Sequence, residues 1–263
     1  MARPRKPPKW LEAARQRPPG GGNDWLARAL SRAGALPFGD AEAAVRAGRV
    51  TVDGRVVTQP LAPVTATARV AVDGKPVDVK PTTRVVMFHK PAGLVTAGRD
   101  AEGRGTVFEA LRRALPPALQ GYGWHAVGRL DRDTTGLLLF TNDERFVAHA
   151  TRPETHLPKR YVARVGAKVT EAKLAQLRAG VTLEPGVISK PAGAQARGDD
   201  VVELTLTEGR YHQVKRMLNA VGLPTLALHR EAVGALVLDV AVGAVRELSA
   251  DEVREALGYA PRA

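Results

Sequence analysis

Two periods of apolar spacing organise residues 24 to 80. Leu26, Ala29, Leu30 and Ala33 recur at helical intervals and predict a helix over Asp24 to Gly34, with Asp24 as its cap and Gly34 as its stop. A second helix is predicted over about Asp40 to Ala47, capped by Asp40 and closed by Gly48. Period-2 segments follow at Val50 to Val57 and Val70 to Val77, each interrupted by an Asp-Gly pair. Such a pair between alternating apolar residues marks a hairpin, because the tight turn needs residues that accept positive φ.

The texture changes after Thr83. Arg84 to Phe88 reads as a strand, stopped by the turn Lys90-Pro91-Ala92-Gly93. Leu111 to Leu119 reads as helix or loop, and Leu137 to Phe140 as a short strand buried on both faces. Asn142-Asp143 caps a helix reaching about Ala150. Tyr161 to Val165 alternates like a strand, Thr170 to Ala179 is helical, and Val202, Leu204 and Leu206 alternate again. After a turn at Glu208 to Arg210, the stripe Val214, Met217, Leu218, Val221 predicts a helix that Gly222 and Pro224 stop. Strands and helices intermix without strict βαβ alternation, so the expected fold class is α+β with a mixed, largely antiparallel sheet. Three regions result: residues 1–22, 23–80 and 81–260.

Charge changes the picture of the first region. Residues 1–22 hold Arg3, Arg5, Lys6, Lys9, Arg15 and Arg17 against Glu12, a net +5, with five prolines and a closing Gly20-Gly21-Gly22. Too little there can be buried to offset ordering entropy, so a disordered basic arm is expected. The whole 263-residue chain carries a formal +12, which suits a phosphate-backbone partner, although a merely soluble basic protein would also fit. Arg28, Arg32, Arg46, Arg49 and Arg55 are spaced so that they could share one basic face or lie on an ordinary solvated surface. No apolar run nears the ~18 residues of a membrane span, and no secretory h-region follows the basic start. Cysteine is absent, so no disulfide framework or thiolate nucleophile is available, and a cytoplasmic setting is expected.

Elimination narrows the chemistry. The histidines form no His-x-x-x-His pair, there is no phosphate-binding glycine loop, and none of Ser31, Ser189 and Ser249 sits in a nucleophile elbow. No metal and no cofactor are expected. What remains is Gly128-Arg129-Leu130-Asp131-Arg132-Asp133-Thr134-Thr135-Gly136, a charged, glycine-bracketed loop entering the apolar strand. Read by residue type alone, Asp131 is a turn residue balanced by its arginine neighbours.

The run Gly128 to Asp143, GRLDRDTTGLLLFTND, is similar to the catalytic motif of pseudouridine synthases of the RsuA/RluB/RluE group. Lys90-Pro91-x-Gly93, Lys159-x-Tyr161 and Glu208 to Met217 resemble further motifs of that group, in the same order. The late motif and Leu228-His229-Arg230-Glu231 look closest to the RsuA branch, whose target is a uridine of 16S rRNA. Ala47 to Gly54 resembles the signature turn of an S4 RNA-binding domain, which implies that residues 23–80 form such a module and 81–260 the catalytic domain.

The resemblance implies that Asp131 is the nucleophile, Tyr161 stacks on a flipped uracil, and Lys215 supplies a cation beside Asp131. On a helical wheel Lys215 lies with His212 and Asn219, away from the apolar stripe. Arg129 matches an arginine that holds the nucleotide out of its helix, and Leu130, Arg210, His212 and Gln213 are expected to line the substrate. Asp133 is not expected to be the nucleophile. The implied partner is rRNA, 16S within an immature small ribosomal particle, and the enzyme is expected to be a monomer with no membrane attachment. Two alternatives stay open: the same chemistry on a 23S uridine, and a non-catalytic rRNA-binding or assembly factor.

Overall fold

A computed structural model of the chain describes residues 24–80, 82–98, 100 and 102–261. The expected basic arm, residues 1–22, lies outside the described residues. The chain divides into two compact units, one ending at residue 82 and including 121–123, the other formed by 83–120 and 124 onward.

In the first unit the helices Leu26–Arg32 and Phe38–Arg46 accompany a four-stranded sheet with the order 55–56, 50–52, 70–72, 75–77. Both Asp-Gly hairpins form where predicted. Asp53 and Gly54 take φ of 49° and 80°, Asp73 and Gly74 50° and 76°, so both central residues of each turn are left-handed, as a twist-matched two-residue turn requires. Leu26, Leu30, Ala41, Val45 and Val50 are completely buried and form the core.

The two predicted caps are corrected. Asp24 belongs to a two-residue strand paired with Pro63–Val64, and Trp25 occupies the cap position of the first helix. The Asp24 carboxylate is buried, and it pairs with Arg32 at 2.6 Å and Arg28 at 3.5 Å. Two guanidinium groups compensate a desolvated carboxylate better than one backbone N–H does. Asp40 sits inside the first turn of a helix that starts after Pro37, where it meets the helix dipole favourably without capping.

The second unit is built on a nine-stranded sheet whose main path runs 193–196, 201–206, 159–165, 225–233, 135–141, 85–90, 245–247. Every pairing in it is antiparallel except that of 225–233 with 135–141, so the sheet is mixed and largely antiparallel, as expected. The Leu137–Phe140 run is buried on both faces at the centre. Val202, Leu204 and Leu206 turn inward against Met217 and Leu218 of the helix Gln213–Ala220, forming one core cluster. A second cluster packs Met87, Leu137 and Leu139 against Phe146 and Val253, which come from the helices Glu144–Thr151 and Ala250–Leu257. Asp143 caps the first of these by accepting the Arg145 N–H, while Asn142 instead accepts the Arg84 N–H at 2.7 Å.

Several boundaries differ from the sequence reading. The strand predicted to end at Phe88 continues through Lys90, and the one predicted from Tyr161 starts at Lys159. The ambiguous Leu111 to Leu119 stretch is the end of a helix, Val107–Ala114, followed by a 3-10 turn at Pro117–Leu119. That helix begins at a capping box of Thr106 and Glu109.

One close approach fixes the centre of the sheet. Gly136 has φ 109°, and a Cβ there would stand 2.3 Å from the Arg230 carbonyl oxygen on the parallel strand. Gly136→Ala therefore combines a strained backbone with a backbone collision. It is expected to cost about 3 kcal/mol or more, read as a lowered urea midpoint; an unchanged midpoint would mean the two strands separate freely there.

Candidate active site

Hydrogen-bond register lines up the site across the sheet. Tyr161 pairs with Arg230, Arg230 with Gly136, and Gly136 with Lys90, so these residues form one row over four adjacent strands. Residues directly opposite one another project to the same face. Over that face runs the loop 128–134, which links the strands His125–Val127 and Thr135–Thr141.

The loop is pinned from below. Lys90 has no solvent exposure, and its Nζ donates to the carbonyls of Pro91 at 3.0 Å, Arg132 at 3.1 Å and Thr134 at 2.8 Å. Burial pushes its pKa down to about 8, against the opposing pull of Asp133 and Asp131. Thr96 fastens the other end: its hydroxyl donates to the Leu130 carbonyl at 2.8 Å and accepts the Leu130 N–H at 3.3 Å. Leu130 is buried, and Asp131 follows it at the cleft edge with its side chain 26% exposed.

A cleft of about 400 Å³ opens there, lined by Asp131, Tyr161, Arg210, His212, Lys215 and Arg230 among others. His212 Nε2 stands 3.2 Å from one Asp131 oxygen and Lys215 Nζ 3.7 Å from the other. The helix Gln213–Ala220 sets both distances. His212 precedes it in a left-handed conformation, and Lys215 lies on the side away from the buried Val214, Met217 and Leu218. Tyr161 borders the cleft on its own strand, with the Arg230 guanidinium carbon 6.0 Å from its ring centre.

Lys215 is shared differently from the sequence expectation. Its ammonium donates to both oxygens of Asp133, at 2.6 and 2.7 Å, and is more distant from Asp131. That hydrogen bond holds the Asp133 carboxyl below its usual range. Asp133 is nonetheless 68% exposed and does not line the cleft, whereas Asp131 does.

Other expected site residues fall into two groups. Arg129 and Arg210 are exposed at the cleft margin, where Arg210 meets Glu208 at 3.3 Å. Gln213 lines the cleft but is buried: its amide oxygen accepts the Arg210 N–H at 2.8 Å, and its amide nitrogen donates to Glu208. Both ends of its amide are thus used within its own loop, so it shapes the cleft wall.

The five arginines of the first unit do not share one fate. Arg32 is removed from the expected RNA-facing set, because its side chain is 12% exposed and bound to the buried Asp24; Arg28 meets the same carboxylate. Arg46 pairs with Glu42 at 3.5 Å and Arg49 with Asp73, yet both remain largely exposed, as does Arg55.

Sequence reasoning gave Lys90 no side-chain role and Arg230 none at all. The signal for Lys90 was present: Val86, Phe88 and Lys90 continue one period-2 face, and all three are buried. Arg230 carried no such mark, because the strand Thr225–Val233 that holds it was not predicted.

Comparison with known proteins agrees with this geometry. The family description "RNA pseudouridylate synthase" matches residues 84–220. The chain is 38% identical over 212 residues to the ribosomal small subunit pseudouridine synthase A of Salmonella typhimurium, covering 80% of this chain and 89% of that protein. It is 37% identical over 221 residues to the ribosomal large subunit pseudouridine synthase B of Salmonella typhi, covering 81% of this chain and 74% of that one. A crystal structure described as a pseudouridylate synthase superposes with a TM-score of 0.61 at 30% identity, over 88% of this chain and 99% of that chain. The chain belongs to the RNA pseudouridine synthase family of isomerases, in the group that holds both of these ribosomal RNA enzymes.

Proposed function

We propose that this chain converts one uridine of small-subunit 16S rRNA into pseudouridine, with Asp131 as the nucleophile. The observation that carries the reading is the placement of Asp131: a pinned, part-exposed carboxylate in a base-sized cleft, flanked by His212 at 3.2 Å and Lys215 at 3.7 Å. The conversion breaks the bond from uracil N1 to the ribose and makes one from C5. The C5 proton leaves and N1 gains a proton, so nothing is added or lost overall. A single carboxylate nucleophile suffices for that exchange.

Each neighbour has a task in this reading. The target base is everted from the RNA, and Tyr161 offers it a π-face worth about 1–3 kcal/mol. Arg129 and Arg210 meet the RNA at the margin, while buried Leu130 sets the depth of Asp131. Arg46, Arg49 and Arg55, on an S4-like unit, contact phosphates of the same RNA. The choice of 16S rRNA leans on the late motif, Glu208 to Met217 with Leu228-His229-Arg230-Glu231, whose spelling is similar to that of the RsuA branch.

Incubating the protein with separated immature small and large ribosomal particles, then mapping pseudouridine, tests the proposal. Product confined to 16S rRNA is expected. Product confined to 23S would move the target to the large particle, and none on either would leave an RNA-binding factor.

A further inference from the structure

Arg230 is 3% exposed, yet it has no carboxylate partner among the described residues. Its Nε donates to the Leu137 carbonyl at 2.7 Å. The two Nη groups make no hydrogen bond among the described residues, and Arg230 lines the cleft. A second cation is near: Lys159 borders the same cleft, and burial together with the Arg230 charge lowers its pKa. A desolvated guanidinium beside a second cation is costly unless something negative arrives to meet it.

The backbone is arranged to put this side chain there. Along the strand, Val233 faces Lys159 and Ala232 faces Arg160, but the next residue of the facing strand, Tyr161, pairs with Arg230. Glu231 is therefore the extra residue of a β-bulge. Without the bulge Glu231 would sit beside Tyr161. With it, Glu231 turns to Arg160 and Arg197, and Arg230 takes the cleft position. Bulges that re-aim a side chain are enriched next to active sites.

Depth separates the two negative groups a nucleotide could offer. Phosphates stay with the RNA strand at the cleft margin, where Arg129 and Arg210 are exposed. A buried guanidinium in register with Tyr161 meets the base. We infer that Arg230 is a catalytic residue that binds a carbonyl oxygen of the everted uracil and stabilises the negative charge the ring carries once detached. The inference rests on the pseudouridine reading above. When the N1–ribose bond breaks, its electron pair passes to uracil N1 and spreads onto O2 and O4. Bonding of C5 to the ribose, loss of the C5 proton and protonation of N1 then return the ring to neutrality. Donors placed where charge develops contribute mainly to kcat.

The test combines Arg230→Met with target uridines carrying 2-thio or 4-thio substitution, since sulfur is the poorer acceptor. On ordinary uridine, Arg230→Met is expected to lower kcat by about 10²- to 10³-fold while RNA affinity stays within about threefold of wild type. Arg230→Lys is expected to recover part of the rate. With wild-type protein one thio substitution should slow the reaction about tenfold, and that penalty should vanish in Arg230→Met. Equal wild-type rates on all three substrates would overturn the inference even if the variant failed to fold. So would an undiminished thio penalty in a folded Arg230→Met. Failure of the pseudouridine reading looks different: wild-type protein would then yield no product from unmodified RNA, and this inference would fall with it.

Discussion

Asp131→Asn should form no measurable pseudouridine, a loss of about 10⁴-fold or more, while binding RNA within a few-fold of wild type. The amide keeps the shape of the carboxylate but is neither charged nor nucleophilic. The contacts that hold the loop belong to its neighbours: Leu130 to Thr96, and Arg132 and Thr134 to Lys90. Folding and docking should therefore survive the change. Asp133→Asn is the matched control, since it removes a carboxylate two residues away with the tighter grip on Lys215. Its exposed position outside the cleft gives it no access to an everted base. Freed from Asp133, the ammonium can move toward Asp131, so activity within about tenfold of wild type is expected. Pseudouridine yield and filter binding for the two variants, measured side by side, check both statements.

Lys90→Met should cost about 10²-fold in kcat without unfolding the protein. Methionine fills a similar volume but donates nothing, leaving the Pro91, Arg132 and Thr134 carbonyls without the ammonium that gathers them. Two of these carbonyls follow Asp131 closely in sequence, so Asp131 shifts with them. A displacement near 1 Å at the reacting centre is worth about two orders of magnitude. The same lysine leaves a mark on stability. Its pKa falls to about 8 in the folded state, against about 10.4 for a free side chain. Between those values the unfolded chain binds more protons than the folded one, so this group makes stability rise with pH there; below pH 8 both states are protonated and its contribution is flat. Wild-type stability relative to Lys90→Met should therefore increase from about pH 8 to about pH 10 in urea titrations. A constant difference would mean that Lys90 titrates like a solvated lysine.

Much of the site was legible in sequence because local rules and the motif coincided. The two Asp-Gly hairpins, the buried Leu137–Phe140 strand and the Val214, Met217, Leu218 stripe each follow from a period and a turn residue. The helix wheel that put Lys215 and His212 on one side, away from the core, describes where both side chains are found. What failed to show depends on contacts between distant segments. Asp24 looked like a cap because caps are chosen locally, whereas its pairing with Arg28 and Arg32 and with strand Pro63–Val64 is tertiary. Lys90 looked like part of a turn because a lysine next to proline normally is; its burial depends on three carbonyls, two of them more than forty residues away. Arg230 owes its position to a bulge, and the pairing register that defines a bulge exists only once two strands meet.

Trypsin offers the most direct check on the nucleophile, because Arg132 separates the two candidate carboxylates. Cleavage after Arg129, Arg132 and Arg145 places Asp131 in the peptide 130–132 and Asp133 in the peptide 133–145. Wild-type protein mixed with a slight excess of RNA, quenched in acid within one turnover and digested with ribonuclease and trypsin, should carry on 130–132 the mass of a ribose phosphate, with or without its uracil. Such a mass on 133–145, or full-rate product formation with neither peptide ever labelled, would contradict the assignment of Asp131.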